Sequence, residues 1–339
     1  MEKLCMIDFP TDKIRLDVQY KNTKLLKEMV ESGGNKETPP KIAEVYDQLI
    51  FPEAPANRPY LLSSIVLSAD GKMAFEDISE GPAIAKQNFL DPDGALADFW
   101  ILNALRAYSD AVVIGARTLQ IEPKATGHVF DPELLAQRRE TLGKPNHPTN
   151  IVASFDGTDI PMDHLIFNID PAEGLPVAIT TSPSGAEYLS TKFPRPVHVY
   201  GPYETAKAVE AEGISPQLSK DIEPGSGVVP IIVTGKDNMP ETPAFLSVSR
   251  KLGMEIALIE SPSFTAHLME LELMDEFFID YSMVYAGGNL TPGRSIPQSS
   301  EAHPHAQLVT LATHNSSFMY TRQKLYYGLS PKADLSRYR

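Results

Sequence analysis

The sequence predicts an α/β protein with a mostly parallel central sheet, flanking helices and antiparallel strands at the C-terminal end. Three observations predict it. From residue 59 onward, short apolar runs alternate with stretches of helical length, which is the pattern of strand–helix–strand units. Several of those runs are apolar at nearly every position, as strands covered on both faces must be. Near residue 276 the alternation stops, and three strand-like runs follow with no helix between them. Strands joined without a crossover pair antiparallel.

Taken in order, residues 1–57 differ from the rest and predict a helical appendage that packs on a main domain, 58–339. The stretch 11–30 is charged with scattered apolar residues, and the polar segment 31–38 leads into Pro39 and Pro40. Ile42, Val45, Leu49 and Ile50 then recur at helical spacing, and proline is tolerated in a first helical turn. Buried strands follow at 60–67, 111–115, 149–154, 176–181, 195–200, 228–234 and 254–260. Leu96, Phe99, Trp100, Asn103 and Leu105 mark a helix over 93–108, and crossover helices fit 242–252 and 263–273. The closing strands are 276–285, 307–312 and 317–326. Most of the 29 prolines fall between apolar runs, where they punctuate loops.

Composition narrows the function classes. A chain of 339 residues with 42% hydrophobic content can bury a large core. The net charge of −14, spread along the chain, argues against a general nucleic-acid surface. A single cysteine, Cys5, leaves no disulfide framework and no CxxC metal site, which fits a reducing cytoplasm. No apolar run reaches the ~18 residues of a membrane-spanning helix, and residues 1–10 lack the pattern of a secretory signal.

Familiar motifs are absent or weak. Gly225-Ser226-Gly227 precedes a strand and lacks a third glycine, so it reads as a loop. There is no phosphate loop of the GxxxxGK type and no HxE–PCxxC deaminase site. His303 and His305 have no third ligand nearby in sequence, so no metal is expected. Four places offer chemistry instead. Asp70 lies in Ser68-Ala69-Asp70-Gly71-Lys72 after the first strong strand; it is either turn chemistry or a ligand contact at a strand end. Arg106 ends a helix, where the dipole alone favours a cation. Thr118 follows a strand and can cap a helix or contact an anion. Glu260-Ser261-Pro262-Ser263 joins a strand to a helix, so its free N–H groups can serve a cap or a pyrophosphate. Gly287-Gly288 marks a turn or a close backbone approach.

In order and spacing these pieces, with Arg58-Pro59-Tyr60, the run 110–118, Leu273-Met274-Asp275-Glu276, His303-Pro304-His305 and Tyr320-Thr321-Arg322, resemble the reductase domain of the riboflavin-biosynthesis deaminase-reductase. The likeness spans roughly residues 58–328. It implies the dihydrofolate-reductase-like fold, and NADPH-dependent reduction of 5-amino-6-(5-phosphoribosylamino)uracil to its ribitylamino product. By the same resemblance Thr118 and Ser154 contact NADPH. Ser261, Pro262, Ser263, Phe264, Thr265 and His267 cradle its pyrophosphate. Arg106 holds the substrate phosphate, Glu260 contacts the substrate, and Asp70 lies near the reacting centre. A homodimer is expected, because family members commonly pair and the C-terminal strands offer an apolar edge. The family has Glu-Gly-Gly-Pro where this chain has Glu260-Ser261-Pro262-Ser263, and the run after Thr118 is one residue short. Two alternatives stay open: a related NADPH-dependent reductase of a pterin or other small carbonyl, and a non-enzymatic nucleotide-binding relative.

Overall fold

The computed structural model describes residues 2–35, 37–292 and 297–329; the last ten residues of the expected main domain, 330–339, lie outside them. Its strands are β1 (Asp17–Lys21), β2 (Tyr60–Ser68), β3 (Ala111–Gly115), β4 (Thr149–Ala153), β5 (Val177–Thr181), β6 (Val197–Tyr203), β7 (Val229–Thr234), β8 (Ile256–Glu260), β9 (Glu276–Ser282), β10 (His305–His314) and β11 (Phe318–Tyr326). They form one eleven-stranded sheet in the order β1-β10-β11-β9-β2-β8-β3-β4-β5-β7-β6. Every pairing from β9 across to β6 is parallel, and β11, β10 and β1 add antiparallel. The expected architecture is therefore present, with each anticipated strand in place.

Burial explains the pattern. All of β7 and most of β3 and β8 are buried, because helices cover both faces. β9 alternates between buried and partly buried positions, the period-2 signature of a strand with unlike faces. On one face the helix Pro92–Tyr108 packs Trp100, Leu105 and Tyr108 into the core. Asp91 starts that helix by accepting the Gly94 N–H at 3.0 Å, and Pro92 occupies its first turn. On the other face the helices Thr242–Lys251 and Pro262–Glu270 contribute Phe245, Val248 and Leu268.

Residues 1–57 contain the helices Thr11–Ile14, Thr23–Glu31 and Pro40–Val45, and also β1, which pairs with β10. No alternation in Asp17-Val18-Gln19-Tyr20-Lys21 announces a strand; most of its side chains are exposed, and pairing at the sheet edge holds it. Phe9, Ile14, Ile42, Val45 and Phe51 join the core against the helix Pro92–Tyr108. Lys41 pairs with Asp131 at 2.7 Å, and both side chains are almost wholly buried.

Candidate active site

β2 and β3 are successive in the chain between residues 60 and 115 but not in the sheet, because β8 lies between them. The helix after β2 packs on one face and the helix after β8 on the other. Chains that leave neighbouring strands toward opposite faces open a crevice beyond the strands' carboxyl ends. Asp70, Thr118, Ser154 and Glu260 all fall at the carboxyl ends of β2, β3, β4 and β8, which are consecutive in the sheet. Residues spread over nearly two hundred positions thus converge on one edge.

Arg106 comes from the last turn of the helix Pro92–Tyr108, and its side chain runs beneath that edge to Glu260. Nε donates to Glu260 Oε1 at 2.7 Å, Nη2 to Oε2 at 2.6 Å, and Nη1 to the His128 carbonyl at 3.1 Å. The guanidinium carbon also lies 5.5 Å from the centroid of the Phe130 ring. Such a two-pronged pair fixes the plane of the carboxylate as well as its position. Arg106 is buried, and its pair with Glu260 leaves N–H groups on Nη1 and Nη2 for a further acceptor. Burial, with the charges of Arg106 and His147, holds the pKa of His128 down to about 3, and its Nε2 lies 2.7 Å from the Cys5 carbonyl.

A carboxyl that sequence reasoning misses belongs to the same cluster. Glu122 follows the short helix Ala116–Ile121, and its Oε1 accepts the Gly81 N–H at 3.3 Å. Burial raises its pKa, and the charges of Glu260 and Glu80 raise it further against the opposing pull of Arg106. The clue in the sequence is an acid before Pro123, four residues past Thr118; nothing local says that it comes within electrostatic reach of Glu260.

Asp70 behaves differently. It accepts hydrogen bonds from Ser68 Oγ at 2.6 Å, Ala286 N at 3.1 Å and Gly287 N at 2.8 Å. Those donors lower its pKa to about 2, so it is a carboxylate throughout the neutral range. It clasps the loop after β2 to the loop after β9, and the backbone pair Met73 N to Leu290 O at 2.9 Å continues the clasp. Gly287 and Gly288 both have positive φ, and a Cβ on Gly288 would sit 2.7 Å from Glu76 Oε1, so the turn packs tightly against the neighbouring loop.

The two helix starts lie side by side. A Cβ on Gly115 would meet Ser261 Oγ at 2.7 Å, with Thr118 Oγ1 at 3.9 Å, so Ser261 packs on the bare Gly115 backbone with Thr118 nearby. Ser261 makes no side-chain cap for the helix Pro262–Glu270. Pro262 and Ser263 are exposed at its tip, and the N–H groups of Ser263 and Phe264 find no acceptor among the described residues. The rest of the expected cradle turns elsewhere. Thr265 Oγ1 meets Ser63 Oγ at 2.9 Å within the core, and Phe264 stacks on His267 with centroids 6.2 Å apart. His267 Nε2 reaches Thr242 Oγ1 at 3.1 Å. Ser154 builds its own loop, donating to Asp159 Oδ1 and accepting the Gly157 N–H at 2.9 Å. Of the expected contacts, the structure gathers Thr118, Ser261, Pro262 and Ser263 at one tip and Arg106 with Glu260 below it. Among the described residues no helix is long and apolar enough to cross a membrane.

No family profile and no curated protein matches the sequence. Solved structures do. A pyrimidine reductase-like protein from Corynebacterium diphtheriae aligns over 84% of this chain and 98% of its own, at 18% identity and a TM-score of 0.54. RibD from Acinetobacter baumannii aligns over 84% of this chain and 60% of its own, at 14% identity and a TM-score of 0.49. The riboflavin biosynthesis reductase Rib7 from Saccharomyces cerevisia aligns over 79% and 90%, at 10% identity and a TM-score of 0.47. The first of these likenesses establishes the fold: the chain has the dihydrofolate-reductase-like architecture of the pyrimidine reductase-like protein.

Proposed function

We propose that the chain is an NADPH-dependent reductase of a small imine or carbonyl substrate of the ribosylaminopyrimidine type. 5-Amino-6-(5-phosphoribosylamino)uracil is the substrate that the family resemblance implies. The observation that carries the reading is the pairing, at one crevice, of an uncapped helix start with a fixed carboxylate cluster. The helix start at Ser261, Pro262 and Ser263, beside Thr118, fits a pyrophosphate, because unpaired N–H groups and the helix dipole both favour an anion there. NADPH would supply the hydride, and the protein's share is to position and protonate.

In this reading Glu260, held in plane by Arg106, orients the substrate, and the remaining N–H groups of Arg106 take the substrate phosphate. Glu122, whose pKa burial shifts upward, is the carboxyl proposed to pass a proton to the oxygen or nitrogen that gains electrons as hydride arrives. Asp70 holds the loops over the reacting centre. Ser154 shapes the cofactor side through its loop, while Phe264, Thr265 and His267 anchor the helix behind the tip.

A second reading is a related reductase with another small carbonyl substrate, such as a pterin. Ser261 and Pro262 favour it, since they stand where the family has two glycines and so change how closely backbone and cofactor approach. The protein is proposed to work in the cytoplasm on small molecules, as a homodimer. β1 covers the outer edge of β10, so the pairing surface would lie instead near Phe89, Leu90 and Tyr285, each at least 80% exposed. Titration of cofactor fluorescence tests the main reading. NADPH should bind in preference to NADH, and failure of both to bind at millimolar concentration overturns it. A monomeric mass by light scattering at micromolar concentration rejects the dimer.

A further inference from the structure

Away from the crevice, four buried polar atoms that lack a well-formed hydrogen bond among the described residues face one region of the interior. They are Tyr46 Oη, Thr310 Oγ1, Asp280 Oδ2 and Arg322 Nη1. Thr310 and Arg322 are register partners on β10 and β11, and Tyr320 and Asp280 are register partners on β11 and β9. Register partners and residues two apart lie on the same side of a sheet, so Thr310, Tyr320, Arg322, Phe278 and Asp280 share a face. Tyr46, from the N-terminal segment, lies over that face within electrostatic reach of Arg322 and Asp280 and beside Thr310. All four residues are at most 3% exposed.

The surrounding groups define what could bridge these atoms. Arg322 is bound to Glu276 through Nε at 2.6 Å and Nη2 at 2.9 Å, and Nη2 also reaches the Ile50 carbonyl at 2.6 Å. Tyr60 Oη donates to Glu276 at 2.8 Å. Asp98, on the helix Pro92–Tyr108, lies close enough to Asp280 for its charge to raise the affinity of Asp280 for a proton. An added anion would meet these carboxyls, and an added cation would meet Arg322. A neutral molecule that both donates and accepts satisfies hydroxyls, guanidinium and carboxyl together. Only a very small one suits an interior closed by Phe51 and Phe278, whose ring centroids lie 4.7 and 5.7 Å from the guanidinium carbon.

We propose that this interior is a binding site for ordered water, bridging Arg322 Nη1, Tyr46 Oη, Thr310 Oγ1 and Asp280 Oδ2, and that the N-terminal segment is its closing wall. Buried water of this kind takes the place of missing protein partners and is retained as part of the fold. The segment before residue 57 then has a structural role, since Tyr46 and Ile50 complete the polar set that the last strands expose. The site is independent of the cofactor and needs no turnover to be observed.

The sign of a stability change tests it. Tyr46→Phe and Thr310→Val each remove one hydroxyl at nearly constant volume. If water bridges the group, each variant loses a hydrogen bond and melts lower, by on the order of 1–2 °C in a chain of this size. If the interior is dry, each removes an unpaired hydroxyl and melts higher. Oxygen-17 relaxation dispersion of the water signal, on the intact chain and on Tyr46→Phe/Thr310→Val, counts long-lived internal waters directly. Loss of at least one in the double variant is expected. An unchanged count, or a raised Tm in both single variants, overturns the proposal.

Discussion

Arg106→Met separates the two roles given to Arg106. Methionine keeps much of the apolar stem and removes the guanidinium. Both Glu260 oxygens and the His128 carbonyl then lose their donor at once. Breaking a buried pair from one side costs about 3–5 kcal/mol, because the remaining charge is left in a poor solvent. The Glu260 side chain retains 15% exposure, so water recovers part of this, and about 3 kcal/mol is expected. For 339 residues each kcal/mol moves Tm by roughly 1–2 °C, so the variant should melt about 3–6 °C lower by calorimetry. Glu260→Gln in the same background removes the stranded charge, so the double variant should lose less than the sum of the single ones. NADPH affinity should hold, while kcat/KM with the ribosylaminopyrimidine falls at least ~10-fold, or ~1.4 kcal/mol. A Tm within about 1 °C of the parent, with the loss confined to KM for a phosphorylated substrate, would refute the structural pairing. Arg106 would then be a substrate ligand alone.

Three further outcomes follow from buried or clasped charges. Lys41→Met strands Asp131, which still receives Trp100 Nε1 at 3.1 Å and two backbone N–H groups; a loss of about 3 kcal/mol by urea unfolding is expected, and an unchanged midpoint would show that the pair does not support the fold. Burial raises Asp98 to about 6 and Asp280 well above the usual carboxylate value, so the folded state holds protons that the unfolded chain has released. Stability from this pair is therefore complete below about pH 4 and is lost as pH rises through 6; Asp280→Asn should raise Tm at pH 7 and flatten the profile from pH 4 to 7, and an unchanged slope would exclude the pair as its source. Asp70 has the opposite sign: its pKa, about 2, is depressed by Ser68 and the loop amides, so its contribution is present above about pH 4 and lost as pH falls through 2. In Asp70→Asn the amides of Ala286 and Gly287 should exchange with deuterium faster at neutral pH; unchanged exchange would show that the clasp is not needed.

What the sequence discloses and what it hides divide along a physical line. β3, β7 and β8 are legible because strands covered on both faces must be apolar at nearly every position. β1 is not, because an edge strand held by backbone pairing needs no such pattern, and Tyr20 is exposed where a core strand would bury it. The loops that meet at the crevice carry local signs, a strand end followed by a helix start, and so Asp70, Thr118 and Glu260 could be selected one by one. Which of them pair with which could not. Arg106 and Glu260 are 154 residues apart, Asp70 and Gly287 are 217 apart, and Glu122 reaches Gly81 across 41.

The same line runs through the N-terminal segment. Its charged and polar residues look like those of a solvated appendage, yet Lys41 is one half of a buried ion pair and the Lys13 carbonyl receives His314 Nε2 at 2.7 Å. Ile50 takes a hydrogen bond from Arg322 across 272 residues. Each contact adds a partner to a buried polar group of residues 58–329, and taking a partner from a buried group costs more than the bond itself returns. Removing residues 1–57 therefore uncovers apolar surface and also takes a partner from Asp131, His314 and Arg322 together. The boundary at residue 57, visible as a change in sequence character, is for that reason not a place where the chain can be cut into two stable parts: the truncated chain should fail to give a cooperative thermal transition, and a cooperative one within a few degrees of the parent would show that those contacts are dispensable.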